Sequence, residues 1–346
     1  MKKVTKVFSV MVASVALAAM LSGCGGDKKP AGGDTIKVGG NLEMTGGSAS
    51  FGISSKNAIE LAFKNINDKG GINGKKLELV VADNKSEAAE ATNAMQKLVS
   101  QDKVVAVIGP NLSSATIAAG AINNGSKVLD IAPMATNPNV TVDPATGKTK
   151  EYNFRACFID PFQGTVMANY AFKQGAKKVA IVQEVSNDYA VGLAKFFKEA
   201  FIKLTGDENS IVEIANYQTG DKDFSAILTN IKAKNPDAIF APGNFTESAL
   251  LVKQARQLGI EAPFMGGDTW ETQEFIDVGG KDVEGVALST AFDREKATTP
   301  EAKKFLDEYV KEYKGEPSAL TAMAYDAYLI AIDGIKRAGS TDTVKI

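Results

Sequence analysis

Val104-Val105-Ala106-Val107-Ile108-Gly109-Pro110-Asn111-Leu112-Ser113-Ser114-Ala115-Thr116 reads as three pieces in succession. Five small or β-branched apolar residues suit a buried strand. Gly109-Pro110 breaks it, and Ser113 opens a helix over 113–123. A strand that feeds a helix through a short loop is half of a βαβ unit. The same alternation extends outward in both directions. Upstream lie a strand at Ile36–Leu42, a helix over 52–69, a strand at 76–82 and a helix over 86–100. In the first of these helices Ala58, Leu61, Ala62 and Ile66 fall on one face. Downstream comes a strand at 128–132. Phe154-Arg155-Ala156-Cys157-Phe158 is a further apolar, strand-like run.

The rhythm restarts after Asp160. A helix over 161–174 carries Pro161 near its start, where proline is tolerated. Strands are expected at 178–183, 212–217, 238–241, 263–266 and 283–290, with helices at 189–204, 224–234 and 246–258. The last two helices, Pro300–Tyr313 and 318–338, have no strand between them and are expected to return to the first set. The fold class is therefore α/β, with two doubly wound lobes. The first lobe is 36–159 plus 292–346 and the second is 160–291. A length of 346 residues agrees, because single cores of that size usually divide.

Composition narrows the function. Apolar content of 44% and charged content of 23% are ordinary for a soluble globular chain. A net charge of −2 without clustered basic residues argues against nucleic acid as a partner. The chain has no histidine, which removes Ser-His-Asp and Cys-His catalysis and most zinc and transition-metal sites. No metal, cofactor or catalytic residue is expected. Gly74-Lys75 is not a phosphate-binding loop, because Lys69 and Lys76 stand where that motif needs Gly and Ser or Thr.

The first residues carry an address. Lys2, Lys3 and Lys6 precede an apolar run over 7–20, then Leu21-Ser22-Gly23-Cys24. This is the order of an export signal. As a helix the run is about 21 Å long, short of the roughly 30 Å core of a bilayer. Leu21 to Cys24 resembles the lipobox of bacterial lipoproteins. That implies cleavage after residue 23 and acylation of Cys24, with 24–35 as a flexible tether. The alternative is an ordinary signal with a chance cysteine. Either way the mature protein works outside the cytoplasm, in the cell envelope. With Cys24 lipidated, Cys157 is left alone and no internal disulfide is expected. A buried structural thiol is favoured over a nucleophile.

In open α/β sheets, ligands bind beyond the carboxyl ends of strands. In the first lobe Ser113 and Ser114 open a helix and could hold a small anion there, or simply cap it. The next loop, Pro133-Met134-Ala135-Thr136-Asn137-Pro138, adds a hydroxyl and backbone N–H groups. The second lobe offers Asn187-Asp188-Tyr189, Pro242-Gly243-Asn244-Phe245 and Gly267-Asp268-Thr269-Trp270. Asp268 reads either as a ligand carboxylate or as the cap of a helix over 269–276. A ligand with both a carboxylate and an ammonium would bridge the two lobes.

Several motifs then agree in order and spacing. They are Gly46-Gly47 with Phe51-Gly52, Lys69-Gly70-Gly71-Ile72-Asn73-Gly74-Lys75-Lys76-Leu77, and Ile108-Gly109-Pro110 with Ser113-Ser114. Ala132 to Pro138, Asp188-Tyr189-Ala190-Val191-Gly192, Lys222-Asp223-Phe224-Ser225 and Phe264-Met265-Gly266 follow. In these the chain resembles the branched-chain amino-acid-binding receptors of ABC importers, the type I periplasmic binding proteins. The resemblance implies two three-layer αβα lobes joined by a hinge, monomeric, closing on an amino acid for delivery to permease subunits in the membrane. It implies that Ser113, Ser114, Ala135 and Thr136 hold the ligand carboxylate, and that Tyr189, Asn244 and Phe245 close from the other lobe. Asp268, where the family often has glutamate, would take the α-ammonium, and Phe51 and Trp270 would shape the side-chain pocket. Trp270 departs from the family and leaves aliphatic and aromatic ligands both open. The same fold could serve another small ligand, such as an aromatic amino acid, an amide, a short peptide or an aromatic acid, for uptake or sensing. An extracellular enzyme is the third reading, against which the absent histidine counts. The family usually continues past the last helix into a strand pair and a third crossover. This sequence stops at Thr343-Val344-Lys345-Ile346, inside an expected helix beginning, which reads as a truncation.

Overall fold

The computed structural model describes residues 35–346, so Cys24 and the signal that precedes it lie outside the described residues. The first half runs β1 (Ile36–Leu42), α1 (Ala49–Asn67), β2 (Leu77–Asp83), α2 (Ala88–Lys97), β3 (Ala106–Ile108), α3 (Ser113–Ser126), β4 (Leu129–Ala132) and β5 (Asn153–Arg155). Next come α4 (Asp160–Lys173), β6 (Val179–Glu184), α5 (Asp188–Thr205), β7 (Ile211–Tyr217), α6 (Ser225–Lys234), β8 (Ala238–Phe240) and α7 (Phe245–Gln257). The chain ends with β9 (Phe264–Gly266), α8 (Gln273–Gly279), β10 (Ala287–Leu288), α9 (Pro300–Tyr313) and α10 (Ala319–Ala338).

The strands form two sheets, ordered β2-β1-β3-β4-β5 and β7-β6-β8-β9-β10. Every pairing within them is parallel. The two orders are the same, so β1 corresponds to β6, β3 to β8 and β4 to β9. In each sheet the connections leave in opposite directions between the first and third strands. That switch point opens a crevice at the carboxyl ends.

Each sheet has a core of its own on one side, and a third cluster, in which Phe245, Phe264 and Trp270 pack with Phe51, Phe305 and Leu320, is shared between the lobes. Val38, Leu42, Ile108 and Ile131 pack with Ile59 of α1 and with Tyr328, Ile332 and Ile335 of α10. In the other lobe Ile181, Leu193 and Met265 surround Phe197, whose ring stacks 4.0 Å from that of Phe240. The final two helices do return to the first sheet. The Tyr328 hydroxyl donates to the Ala62 carbonyl at 3.2 Å, and Asn65 donates to Glu308 at 2.7 Å. The chain therefore crosses between lobes after β5 and again after β10.

Three expectations need correction. The strand read over 283–290 is only Ala287–Leu288, because a 3-10 turn at Gly280–Val283 and Gly285 at φ 76° occupy its first half. The helix read over 86–100 changes at Lys97 into a π turn over Leu98–Asp102. The closing residues form a hydrogen-bonded turn on Asp342 rather than the start of a helix. Among the described residues no helix is long and apolar enough to cross a membrane.

Candidate functional site

At the switch point of the first lobe, two loops face the second lobe. Leu112 occupies the N-cap position of α3 and makes no side-chain cap. Ser113 and Ser114 are already helical, so neither plays the plain capping role. The Ser113 hydroxyl accepts the Asn137 N–H at 3.2 Å and ties the two loops together. The Ser114 hydroxyl accepts the Asp188 N–H of the other lobe at 2.9 Å, while the Asn137 amide donates to the Asp188 carbonyl at 2.7 Å. Arg155 of β5 donates to the carbonyls of Ala135 and Asn137, both at 2.9 Å, and so fixes the second loop's orientation. The backbone N–H groups of Ser113, Ser114, Ala135 and Thr136 have no acceptor among the described residues. Four such donors, two of them at a helix N-terminus, make a site for a small anion.

A buried carboxylate that sequence reasoning missed holds this arrangement. Glu43 follows β1 and accepts the Asn111 N–H at 3.1 Å, the Asn111 side-chain amide at 2.7 Å and the Asn84 amide at 3.1 Å. Burial raises its pKa above the usual carboxylate value, against the pull of these donors. Glu184, at the equivalent end of β6, is just as buried. It accepts the Asn244 N–H at 3.0 Å, the Asn187 amide at 3.1 Å and the Thr219 hydroxyl. The two lobes thus brace equivalent loops with equivalent acids.

The second lobe faces this bank of donors with Asp268. Asp268 does not cap a helix. It sits in a 3-10 turn, Asp268–Trp270, and α8 begins later under the Thr272 hydroxyl, which accepts the Phe275 N–H. Only 5% of Asp268 is exposed, and its carboxylate accepts the Tyr189 hydroxyl at 2.9 Å. Burial pushes its pKa up to about 6, with the Tyr189 hydrogen bond pulling the other way. Asp160, at the start of α4, is pushed up to about 8 by burial and by the Asp268 charge, while Thr136 and Arg155 oppose the rise. Burial also raises the Cys157 thiol. A thiol held protonated is a poor nucleophile, in keeping with the structural reading.

Phe51, Leu112, Ser113, Met134, Tyr189 and Asp268 line a cavity of about 20 Å³ between the lobes, joined there by Asn244. Ser114, Ala135, Thr136 and Phe245 lie behind this lining. Phe245 meets the edge of Phe51 across the seam at 5.3 Å. Trp270 is displaced from the expected pocket. It is buried, stacks on Phe275 at 4.8 Å and lines a separate groove of about 950 Å³ beside α8 and α9. Phe51 borders both spaces. The strand ends and the polar groups of both lobes converge on the smaller one, which makes it the candidate site.

Gly267 is dictated by this geometry, because a Cβ there would meet the Tyr189 hydroxyl and crowd Leu193. Gly267→Ala is expected to push Tyr189 off Asp268 and destabilise the fold by about 1–3 kcal/mol. Urea unfolding measures this, and a midpoint equal to wild type would show that Tyr189 is not held where described.

Comparison with known proteins places these features. The family described as periplasmic binding protein matches residues 35–346. An amino acid binding protein of Pseudomonas aeruginosa is 33% identical over 304 residues, covering 87% of this chain and 78% of that protein. The crystal structure of the leucine binding protein LivK of Thermotoga maritima superposes with a TM-score of 0.83 at 39% identity, over 90% of this chain and 85% of that one. The branched-chain amino acid transporter substrate binding protein LivJ of Streptococcus pneumoniae, solved with isoleucine, gives 0.82 at 38% identity, over 90% and 87%.

Proposed function

The chain belongs to the periplasmic binding protein family, and from that we propose that it captures a branched-chain aliphatic amino acid outside the cytoplasm and delivers it to an ABC importer. One observation carries the reading: Asp268 shares the interlobe cavity with Ser113, whose N–H is unpaired, as are those of Ser114, Ala135 and Thr136 just behind the lining. An amino acid presents a carboxylate and an ammonium a short distance apart, and so satisfies both banks. Its carboxylate takes the N–H groups and the Thr136 hydroxyl. Its ammonium takes Asp268, and the side chain lies against Phe51, Leu112 and Met134. Burying an aliphatic side chain there contributes roughly 1.5–3 kcal/mol, enough to favour Leu, Ile or Val over glycine by at least tenfold.

The present cavity has room for about one water molecule, so the amino acid enters only when the lobes part at the two crossovers. Ligand contacts to both lobes then favour the closed arrangement. The anchor completes the proposal: lipid on Cys24 would keep this clamp near its permease, with the residues before Ile36 as tether.

Isothermal titration with leucine, isoleucine, valine and phenylalanine tests the reading. An aliphatic ligand at a hundred times its dissociation constant should raise stability by about 2.7 kcal/mol. Heat and melting temperature unchanged by all four would rule out the amino-acid assignment.

A further inference from the structure

Asp160 is fully buried, and neither of its carboxyl oxygens has a hydrogen-bond partner among the described residues. The Thr136 hydroxyl is in the same position. The two face each other, and the Asp160 N–H donates to the Thr136 carbonyl at 3.1 Å, which pins α4 of the second lobe against the ligand loop of the first. Buried polar groups left unpaired are uncommon and call for a reason.

We propose that Asp160 is a positioning residue that holds a proton and donates it to Thr136, so that the Thr136 hydroxyl hydrogen is free for the carboxylate of the ligand. The proposal rests on the amino-acid reading given above. A threonine hydroxyl has one hydrogen and can also accept. Ionised Asp160 accepts only, and so does the ligand carboxylate. With both ionised, two buried anions compete for one hydrogen and repel each other. With Asp160 protonated, the chain is complete: the Asp160 carboxyl donates to Thr136 Oγ1, and Thr136 donates to the ligand.

The groups around Asp160 divide in sign. Asp268, beyond β9, favours its protonated form. Arg155 of β5 opposes that, although its guanidinium is committed to the carbonyls of Ala135, Asn137 and Pro138 and to Thr141. Tyr189 of α5 and Cys157 of the crossover are held neutral by burial. Three residues further into α4, the picture is similar. Gln163 takes the Ser289 hydroxyl on its carbonyl at 2.5 Å, and its amide turns towards Asp268. The first turn of α4 thus serves both ends of the ligand.

Linkage supplies the test. If ligand requires the protonated form, binding must raise the proton affinity of Asp160. L-leucine titrated at pH 8.5, in two buffers of different ionisation enthalpy, should show the uptake of a substantial fraction of a proton per leucine bound. Uptake should vanish at pH 6.5, where Asp160 already holds its proton, and give way to a small release as Asp268, at about 6, ionises to take the ammonium. Asp160→Asn keeps a permanent donor towards Thr136. It should bind leucine without proton uptake, and the ratio of its affinity to that of wild type should rise with pH. The ligand's own ammonium titrates equally in both proteins and cancels in that ratio. Leucine binding by wild type without proton uptake at pH 8.5 overturns the relay whatever the variant does. No binding of leucine, isoleucine, valine or phenylalanine at either pH overturns the amino-acid reading as well.

Discussion

Asp268→Ala is expected to weaken amino-acid binding by about 10²–10³-fold or more, the largest loss of any single change in the crevice. The buried ammonium would lose its only carboxylate partner, and breaking a buried ion pair from one side costs roughly 3–5 kcal/mol. The same change should stabilise the ligand-free protein at neutral pH. The ordinary carboxyl value is 3.8, and in the folded chain Asp268 rises to about 6. Below pH 3.8 the folded and unfolded chains both hold the proton. Between the two values only the folded chain does, and above 6 both are ionised. The folded state then bears the whole cost of the buried charge, about 3 kcal/mol, which falls away as the pH drops through 6. A titration against leucine and a ligand-free thermal melt of the variant at pH 7.5 check both halves. Near-wild-type affinity would remove Asp268 from the site. A ligand-free melt below wild type would show that its charge is compensated.

Glu43→Ala should cost at least about 3 kcal/mol of stability. It strips the acceptor from the Asn111 N–H, the Asn111 amide and the Asn84 amide, and each buried donor left alone costs roughly 1–3 kcal/mol. Glu43→Gln should cost less but not nothing. Its amide carbonyl can replace one carboxylate oxygen, whereas its NH₂ would face the NH₂ of Asn111. Affinity should fall in both variants, because Asn111 leads directly into the turn that presents Ser113. Urea unfolding decides the matter, with Glu184→Ala as the matched change in the other lobe. If Glu43→Ala unfolds at the wild-type midpoint, the loop is held by something other than this acid.

Most of the architecture was legible along the chain. The rhythm of strand and helix is local, and so is the capping that starts Pro300–Tyr313, where Thr299 accepts the Ala302 N–H. What the sequence hid depends on distant parts meeting. Glu43 and Glu184 look like ordinary charged residues at strand ends. Only the shared strand order puts each beside the loop after the neighbouring strand. The recurring signal was available, since an acid closes both β1 and β6 and an asparagine follows both β3 and β8. Asp268 was ambiguous in sequence because aspartate before an apolar turn resembles a cap, whereas Thr272 with Phe275 is the true helix start. Trp270 was placed beside the ligand only by the family resemblance. Its ring instead covers Gly266 and Phe275, where a Cβ on Gly266 would collide with it.

The return of α10 to the first sheet has a consequence for the order in which the chain acquires its shape. Ala327, Tyr328, Ala331, Ile332 and Ile335 belong to the same core as Val38 and Ile108. The first lobe therefore lacks one wall until almost the whole polypeptide is available. The strands of the second sheet come from one continuous stretch, Val179 to Leu288, but its core also takes in Phe305, Tyr309, Leu320 and Met323 of the last two helices. During synthesis from the N-terminus, both lobes therefore wait for the same two closing helices. Long-range closure is the slow kind, so the chain should become compact late, the condition in which it can still be threaded through a membrane.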